Sequence, residues 1–146
     1  IATPRSRWRM EVHDAPGGIT VVNDAYNANP ESMRAALAAV HTMAAGRRIW
    51  AVLGEMRELG DASASEHEGI GRYAAELGID HVVCIGPGVE SVVAGAGAIA
   101  VHVPDIDTAL EILGRDLMAG DVVLVKASRS VGLERIAQAL LEEVAR

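Results

Sequence analysis

The chain is poor in cysteine: Cys84 is the only one among 146 residues. One thiol excludes a disulfide framework within the chain and suits a reducing compartment. No apolar run reaches the roughly 20 residues that a bilayer-spanning helix needs, and no signal peptide heads the sequence. Basic charge is also scarce. Thirteen Lys and Arg stand against 20 Asp and Glu, a net charge of −7. Arg47-Arg48 is the only basic pair, and Arg5, Arg7 and Arg9 sit at the N-terminal edge, so no basic face for a nucleic acid is expected. Three catalytic signatures are missing too. The sequence has no G-x-x-x-x-G-K-[ST] phosphate cradle and no Gly-x-Ser-x-Gly nucleophile elbow. His13, His41, His81 and His102 show no metal-ligand spacing. Cys84 lies alone in an apolar run and reads as a buried, inert thiol.

What is present is globular. Half of the residues are apolar and 23% are charged, enough apolar surface to offset the entropy of ordering a single domain. Short β-branched runs alternate with helical patterns. The runs are Ile19–Val22, Ile49–Leu53, Val82–Ile85, Ile99–Val103 and Val122–Val125. Such runs read as strands buried on both faces of a parallel sheet. Trp8–Val12 is expected to add an edge strand, returning across the Pro16-Gly17-Gly18 turn.

Helices fill the gaps. Asn29-Pro30 opens the first, with Met33, Leu37, Val40 and Ala44 on one face and Gly46 as its stop. The second begins near Ser63, with Glu66 at capping-box spacing, and ends at Gly78. A third, between Val89 and Gly97, is weakened by its glycines. Asp105 caps a fourth, and the last carries Leu133, Ile136, Leu140 and Val144. The fold class that follows is α/β: a Rossmann-like three-layer domain with a mostly parallel sheet of about six strands and helices on both faces.

Ligands of such sheets bind beyond the carboxyl ends of the strands, which selects the loops Asn23–Pro30, Gly54–Ala62, Gly86–Val89 and Lys126–Ser130. The first offers a carboxylate, three amides and a phenol (Asp24, Asn23, Asn27, Asn29 and Tyr26). A carboxylate at a strand end can accept from a ribose diol, and the helix start that follows favours an anion. The same residues also serve a turn and a cap. Lys126-Ala127-Ser128-Arg129 brings two cations and a hydroxyl to the same edge: a point charge, and a fork that can grip a carboxylate or phosphate. A solvated loop with ordinary charges is the alternative. Glu55, Arg57 and Glu58 read as a plain surface turn first and as loop-orienting groups second. His67 could reach the site from the second helix, although packing is the commoner role for a lone histidine. Gly86-Pro87-Gly88 is a weak dinucleotide signal, because Pro87 removes a backbone donor.

Three segments taken together resemble the C-terminal domain of a Mur ligase. They are Asp24-Ala-Tyr-Asn-Ala-Asn-Pro30 with Ser32-Met33, Val52-Leu-Gly-Glu-Met-Arg-Glu-Leu-Gly60 with His67, and Val125-Lys-Ala-Ser-Arg129 with Leu133-Glu134. The first segment points to the branch of that family that adds D-Ala-D-Ala to a UDP-MurNAc-tripeptide in peptidoglycan precursor synthesis. The resemblance implies that residues 1–8 are a hinge remnant from a central domain and that 9–146 form the C-terminal domain. An excised or processed domain also fits a chain that opens on Ile1. It implies an ATP-dependent amide ligase of the bacterial cytoplasm that works through an acyl phosphate. ATP and Mg²⁺ would be held mainly by the central domain, with no metal site in this one, and the isolated domain would be inactive. By the same resemblance Asp24, Tyr26 and Asn27 belong to the nucleotide side. Asn29, Lys126, Ser128 and Arg129 belong to the D-Ala-D-Ala side. Arg129 is favoured for the dipeptide carboxylate, and Lys126 competes for it or stands near the reacting centre. Relatives commonly have Gly where this chain has Ala127, and often Asp where it has Glu55. The rival readings are a folylpolyglutamate synthase-like ligase domain and a non-catalytic Rossmann-like binding module.

Overall fold

A computed structural model describes residues 10–25 and 27–142. Among the described residues six strands form one sheet: β1 (Glu11–Ala15), β2 (Ile19–Asp24), β3 (Ile49–Leu53), β4 (His81–Ile85), β5 (Ala100–Val103) and β6 (Val122–Lys126). Five α-helices accompany them among the described residues: α1 (Pro30–Ala44), α2 (Ser63–Leu77), α3 (Glu90–Ala96), α4 (Ile106–Asp116) and α5 (Glu134–Leu141). The strand order is β1-β2-β6-β3-β4-β5. Only β1 runs antiparallel, paired with β2 across the turn at Gly17 and Gly18, both at positive φ. The edge strand therefore lies three residues beyond the Trp8–Val12 expected from the sequence. The tight turn sets this register by pairing Ala15 with Ile19. The expected positions Trp8 and Arg9 lie outside the described residues.

The strands are apolar without alternation because both faces are covered. Every residue of β3 and of β6 is buried. On one face Val22, Ala51, Leu53, Val82 and Leu124 pack under α1, α2 and α3, through Met33, Leu37, Ile70, Ala74 and Val92. On the other, Val21, Trp50, Val52, Val83 and Val125 pack under α4 and α5, through Leu113, Ile136 and Leu140. Burying one such leucine or isoleucine side chain is worth about 1.5–3 kcal/mol. Cys84 is part of the first core, and burial pushes its thiol up to about 12, which keeps it protonated.

Local chemistry sets the helix ends. Asn29 caps α1 in a full capping box: its side chain accepts from the Ser32 N–H, and the Ser32 hydroxyl accepts from the Asn29 N–H. Asp105 caps α4 through the Thr108 N–H. The capping box expected at Ser63 and Glu66 is absent. A 3-10 turn at Gly60–Ala62 runs straight into α2, so Ala62 is the cap residue and Ser63 is already helical. The glycines that weaken α3 as an isolated helix serve its packing. A methyl on Gly95 would run into the carbonyl of Glu68, and one on Gly71 into the carbonyl of Val92. The two helices cross at backbone contact, Gly71 against the backbone of Val92 and Ala96 and Gly95 against that of Glu68 and Arg72.

At the amino end of the sheet Asp121 ties three segments together. Its carboxylate accepts from Arg48, the Trp50 indole N–H and the Met118 N–H, at 2.7–3.0 Å. Burial alone would raise its pKa; the Arg48, Met118 and Trp50 bonds outweigh that and hold it below the usual carboxylate value.

Candidate functional site

The strand order creates a crevice at the opposite, carboxyl end. The neighbours β2 and β6 send their chains to opposite faces, β2 to α1 and β6 to α5. Their exits part at the sheet edge, the position where open α/β sheets hold ligands. An open groove of about 710 Å³ lies there, lined by Asn27, Ala28, Asn29, Arg57, Glu58, Leu59, Ser128 and Arg129. Three of the four loops selected from sequence meet in it. The fourth, at Gly86 and Pro87, lines a neighbouring cavity of about 370 Å³ with Glu55, Arg57, Asp105, Asp107 and Arg135.

Asp24 and Lys126 end their strands side by side and are direct register partners. Both side chains are buried, 7% and 2% exposed. The Lys126 ammonium donates to Asp24 Oδ2 at 2.7 Å and to the Asn27 carbonyl at 2.8 Å. Burial pushes the Asp24 carboxyl up from its ordinary value, and the Lys126 hydrogen bond and charge pull it back only in part. The family resemblance puts Lys126 toward the dipeptide or the reacting centre; in the structure its ammonium donates to two acceptors of the β2 exit.

The other expected site residues divide. Asn27 is exposed at the groove, with its Oδ1 accepting from the Ala28 N–H. Asn29 lines the groove but spends its side chain on the α1 cap, so the helix start expected to favour an anion is closed in part by its own box. Tyr26 lies outside the described residues. Ser128 is buried and braces the β3 exit: its N–H donates to the Glu55 carbonyl at 3.1 Å, and its hydroxyl accepts from the Arg57 N–H at 2.9 Å. Arg129 is exposed on the groove wall.

The turn after β3, which reads from sequence as a plain surface turn, belongs to the groove. Arg57, Glu58 and Leu59 line the groove, and Arg57 lines the neighbouring cavity as well. Glu58 sits at φ 67°, an uncommon conformation for a non-glycine residue. Nothing in the sequence short of the strand order brings this turn beside the β6 exit. His67 is a brace rather than a reacting group. Its Nε2 accepts from the Met56 N–H at 2.9 Å, and its Nδ1 N–H donates to the Ser63 carbonyl at 2.7 Å. Because Met56 N–H can only donate, the proton must be on Nδ1. At Gly88, φ 83°, the Glu55 side chain fills the space a side chain would take, so the Gly-Pro-Gly turn packs against its neighbour. Among the described residues no three His, Cys, Asp or Glu side chains gather to hold a metal ion, and no helix is long and apolar enough to cross a membrane.

The family model for the Mur ligase glutamate ligase domain matches residues 8–129. The chain belongs to this family. The UDP-N-acetylmuramoyl-tripeptide–D-alanyl-D-alanine ligase of Mycobacterium tuberculosis H37Rv is 45% identical, with 97% of this chain and 32% of that protein aligned. This Mur ligase domain thus spans about a third of the length of the curated relatives it matches. MurF from Acinetobacter baumannii is 31% identical, with a TM-score of 0.81 over 94% of this chain and 30% of that one. MurF ligase from Thermotoga maritima, solved in complex with ADP, is 28% identical, with a TM-score of 0.77 over 94% of this chain and 31% of that one. In sequence and in fold this Mur ligase domain is MurF-like.

Proposed function

We propose that the chain is the substrate-closing, C-terminal domain of a cytoplasmic bacterial ligase that joins D-Ala-D-Ala to UDP-MurNAc-tripeptide at the expense of ATP. The 45% identity to a D-alanyl-D-alanine ligase across 97% of the chain carries this reading. It also favours D-Ala-D-Ala over glutamate, the substrate of the folylpolyglutamate rival, and a ligase over a non-catalytic binding module. ATP supplies the activation, by converting the tripeptide carboxylate to an acyl phosphate that the dipeptide amine attacks. The triphosphate and Mg²⁺ belong to a central domain of the whole protein, since this chain has no phosphate-cradling P-loop.

The residues singled out from the sequence have two tasks. Asp24, Tyr26 and Asn27 serve the nucleotide side, where the strand-end carboxylate can accept from the ribose. Ser128 and Arg129 serve the dipeptide side. Arg129 is the group for the dipeptide carboxylate, because its fork can make two parallel bonds. Asn29 shapes the wall between them. Closing this groove over the central domain would exclude water from the acyl phosphate and align the amine.

Arg129→Lys in the whole ligase tests the assignment. It should raise the KM for D-Ala-D-Ala more than the KM for ATP. Equal effects on both would remove Arg129 from the carboxylate.

A further inference from the structure

We infer that Lys126 is a positioning residue for the nucleotide wall of the groove, acting through Asp24 and the Asn27 carbonyl, and not a ligand of the dipeptide. The inference rests on the ligase reading above and deepens it. Three observations carry it. Lys126 is 2% exposed, so a groove-bound ligand meets almost none of it. Its ammonium makes two short bonds, to Asp24 Oδ2 and to the Asn27 carbonyl, and both acceptors belong to the β2 exit. That exit then supplies Asn27, Ala28 and Asn29 to the groove.

The segment after Lys126 does the matching task on the other wall. The Lys126 carbonyl accepts from the Gly54 N–H at 3.0 Å, and Ser128 holds Glu55 and Arg57. The β6 exit is therefore a central brace with one loop tied to each side. Lys126 fixes the loop after β2, and Ser128 fixes the loop after β3. With one Asp24 oxygen engaged by Lys126, the carboxylate is locked in rotation, and its second oxygen is left with a fixed direction. A ribose diol needs an acceptor of fixed direction, and the strand-end carboxylate has one only while Lys126 holds it.

The test uses the whole ligase, with Lys126→Met and, as a milder variant, Lys126→Gln, which keeps two N–H donors without the charge. Steady-state kinetics should show the ATP KM of Lys126→Met rising about ten- to a hundredfold, the range for losing a hydrogen bond to a charged group. The D-Ala-D-Ala KM should stay within about threefold. Lys126→Gln should fall between Lys126→Met and the unaltered enzyme. Hydrogen–deuterium exchange of the ligand-free enzyme gives a readout independent of turnover. Amides of residues 25–29 should exchange faster in Lys126→Met, while those of residues 54–59 keep their protection. A selective rise in the dipeptide KM, or unchanged exchange at 25–29, would overturn the inference. If the unaltered protein makes no amide from D-Ala-D-Ala, the ligase reading fails, and the exchange result alone still decides whether Lys126 holds this loop.

Discussion

The methyl of Ala127 fills the space that a side chain at Gly54 would need: a Cβ built on Gly54 would lie 2.8 Å from it. Val131 and Leu133 close the rest of that space at 3.0 and 3.3 Å. Ala127 is fully buried, so its methyl enters the core and leaves the groove unobstructed. Gly54→Ala should therefore destabilise the chain by about 1–3 kcal/mol, the usual range for overpacking. Ala127→Gly in the same chain should restore much of that loss. Thermal melts of the two single variants and the double variant give the coupling. Additive losses would mean that the two residues do not share this space.

His67 predicts a second outcome. His67→Ala leaves the Met56 N–H without its acceptor in a buried turn. The expected cost is about 1–3 kcal/mol, measured by urea unfolding. In the whole protein this variant, assayed below its melting range, should keep the proposed ligase turnover. Complete loss of turnover in a folded His67→Ala enzyme would make the ring a catalytic group after all.

Asp121 gives a pH dependence. Its carboxyl titrates below the usual value in the folded chain, so the unfolded chain takes up the proton first as pH falls. Its contribution is present above the unfolded carboxylate pKa of about 3.9 and is lost as pH drops through the folded value. Asp121→Asn should cost about 1.5–3 kcal/mol near neutral pH, because Arg48 and the Trp50 and Met118 N–H groups lose a charged acceptor. The gap between the variant and the unaltered chain should narrow below about pH 4. A gap that stays constant with pH would show that the carboxylate is not the titrating group.

The α2–α3 crossing yields a fourth prediction. Gly71→Ala and Gly95→Ala each place a methyl against a backbone carbonyl, which cannot swing aside as a side chain can. Each should lower stability, although alanine is the better helix former by about 1 kcal/mol. Circular dichroism melts decide between the two effects, and a higher Tm for either variant would contradict the packing account.

Most of the fold was legible because its signals are local. The fully apolar runs of β3 and β6 announce a sheet covered on both faces, and Asn29 and Asp105 cap helices where such residues usually do. What stayed hidden depends on partners far away in sequence. Gly95 looks like a helix breaker until α2 is laid against it. Arg57 and Glu58 look like a surface turn until β6 is inserted between β2 and β3. The direction of the Lys126 side chain is the clearest case. Its partner Asp24 is 102 residues away, and only the parallel register of β2 and β6 brings the two together. The sequence placed Asp24, Asn27, Lys126 and Ser128 at one edge of the sheet. It could not say that Lys126 turns inward as a brace and that Ser128 holds the loop after β3 from the groove wall, while Asn27 and Arg129 are exposed at the groove.

The most direct measurement is an amine panel on the whole protein. It would be incubated with ATP, Mg²⁺ and UDP-MurNAc-tripeptide, with D-Ala-D-Ala, D-Ala or L-glutamate offered in turn, and the products read by mass spectrometry. The account predicts an amide product and phosphate release with D-Ala-D-Ala, and little with the other two. Amide formation with glutamate in preference to the dipeptide, or no amide with any of the three, would contradict it.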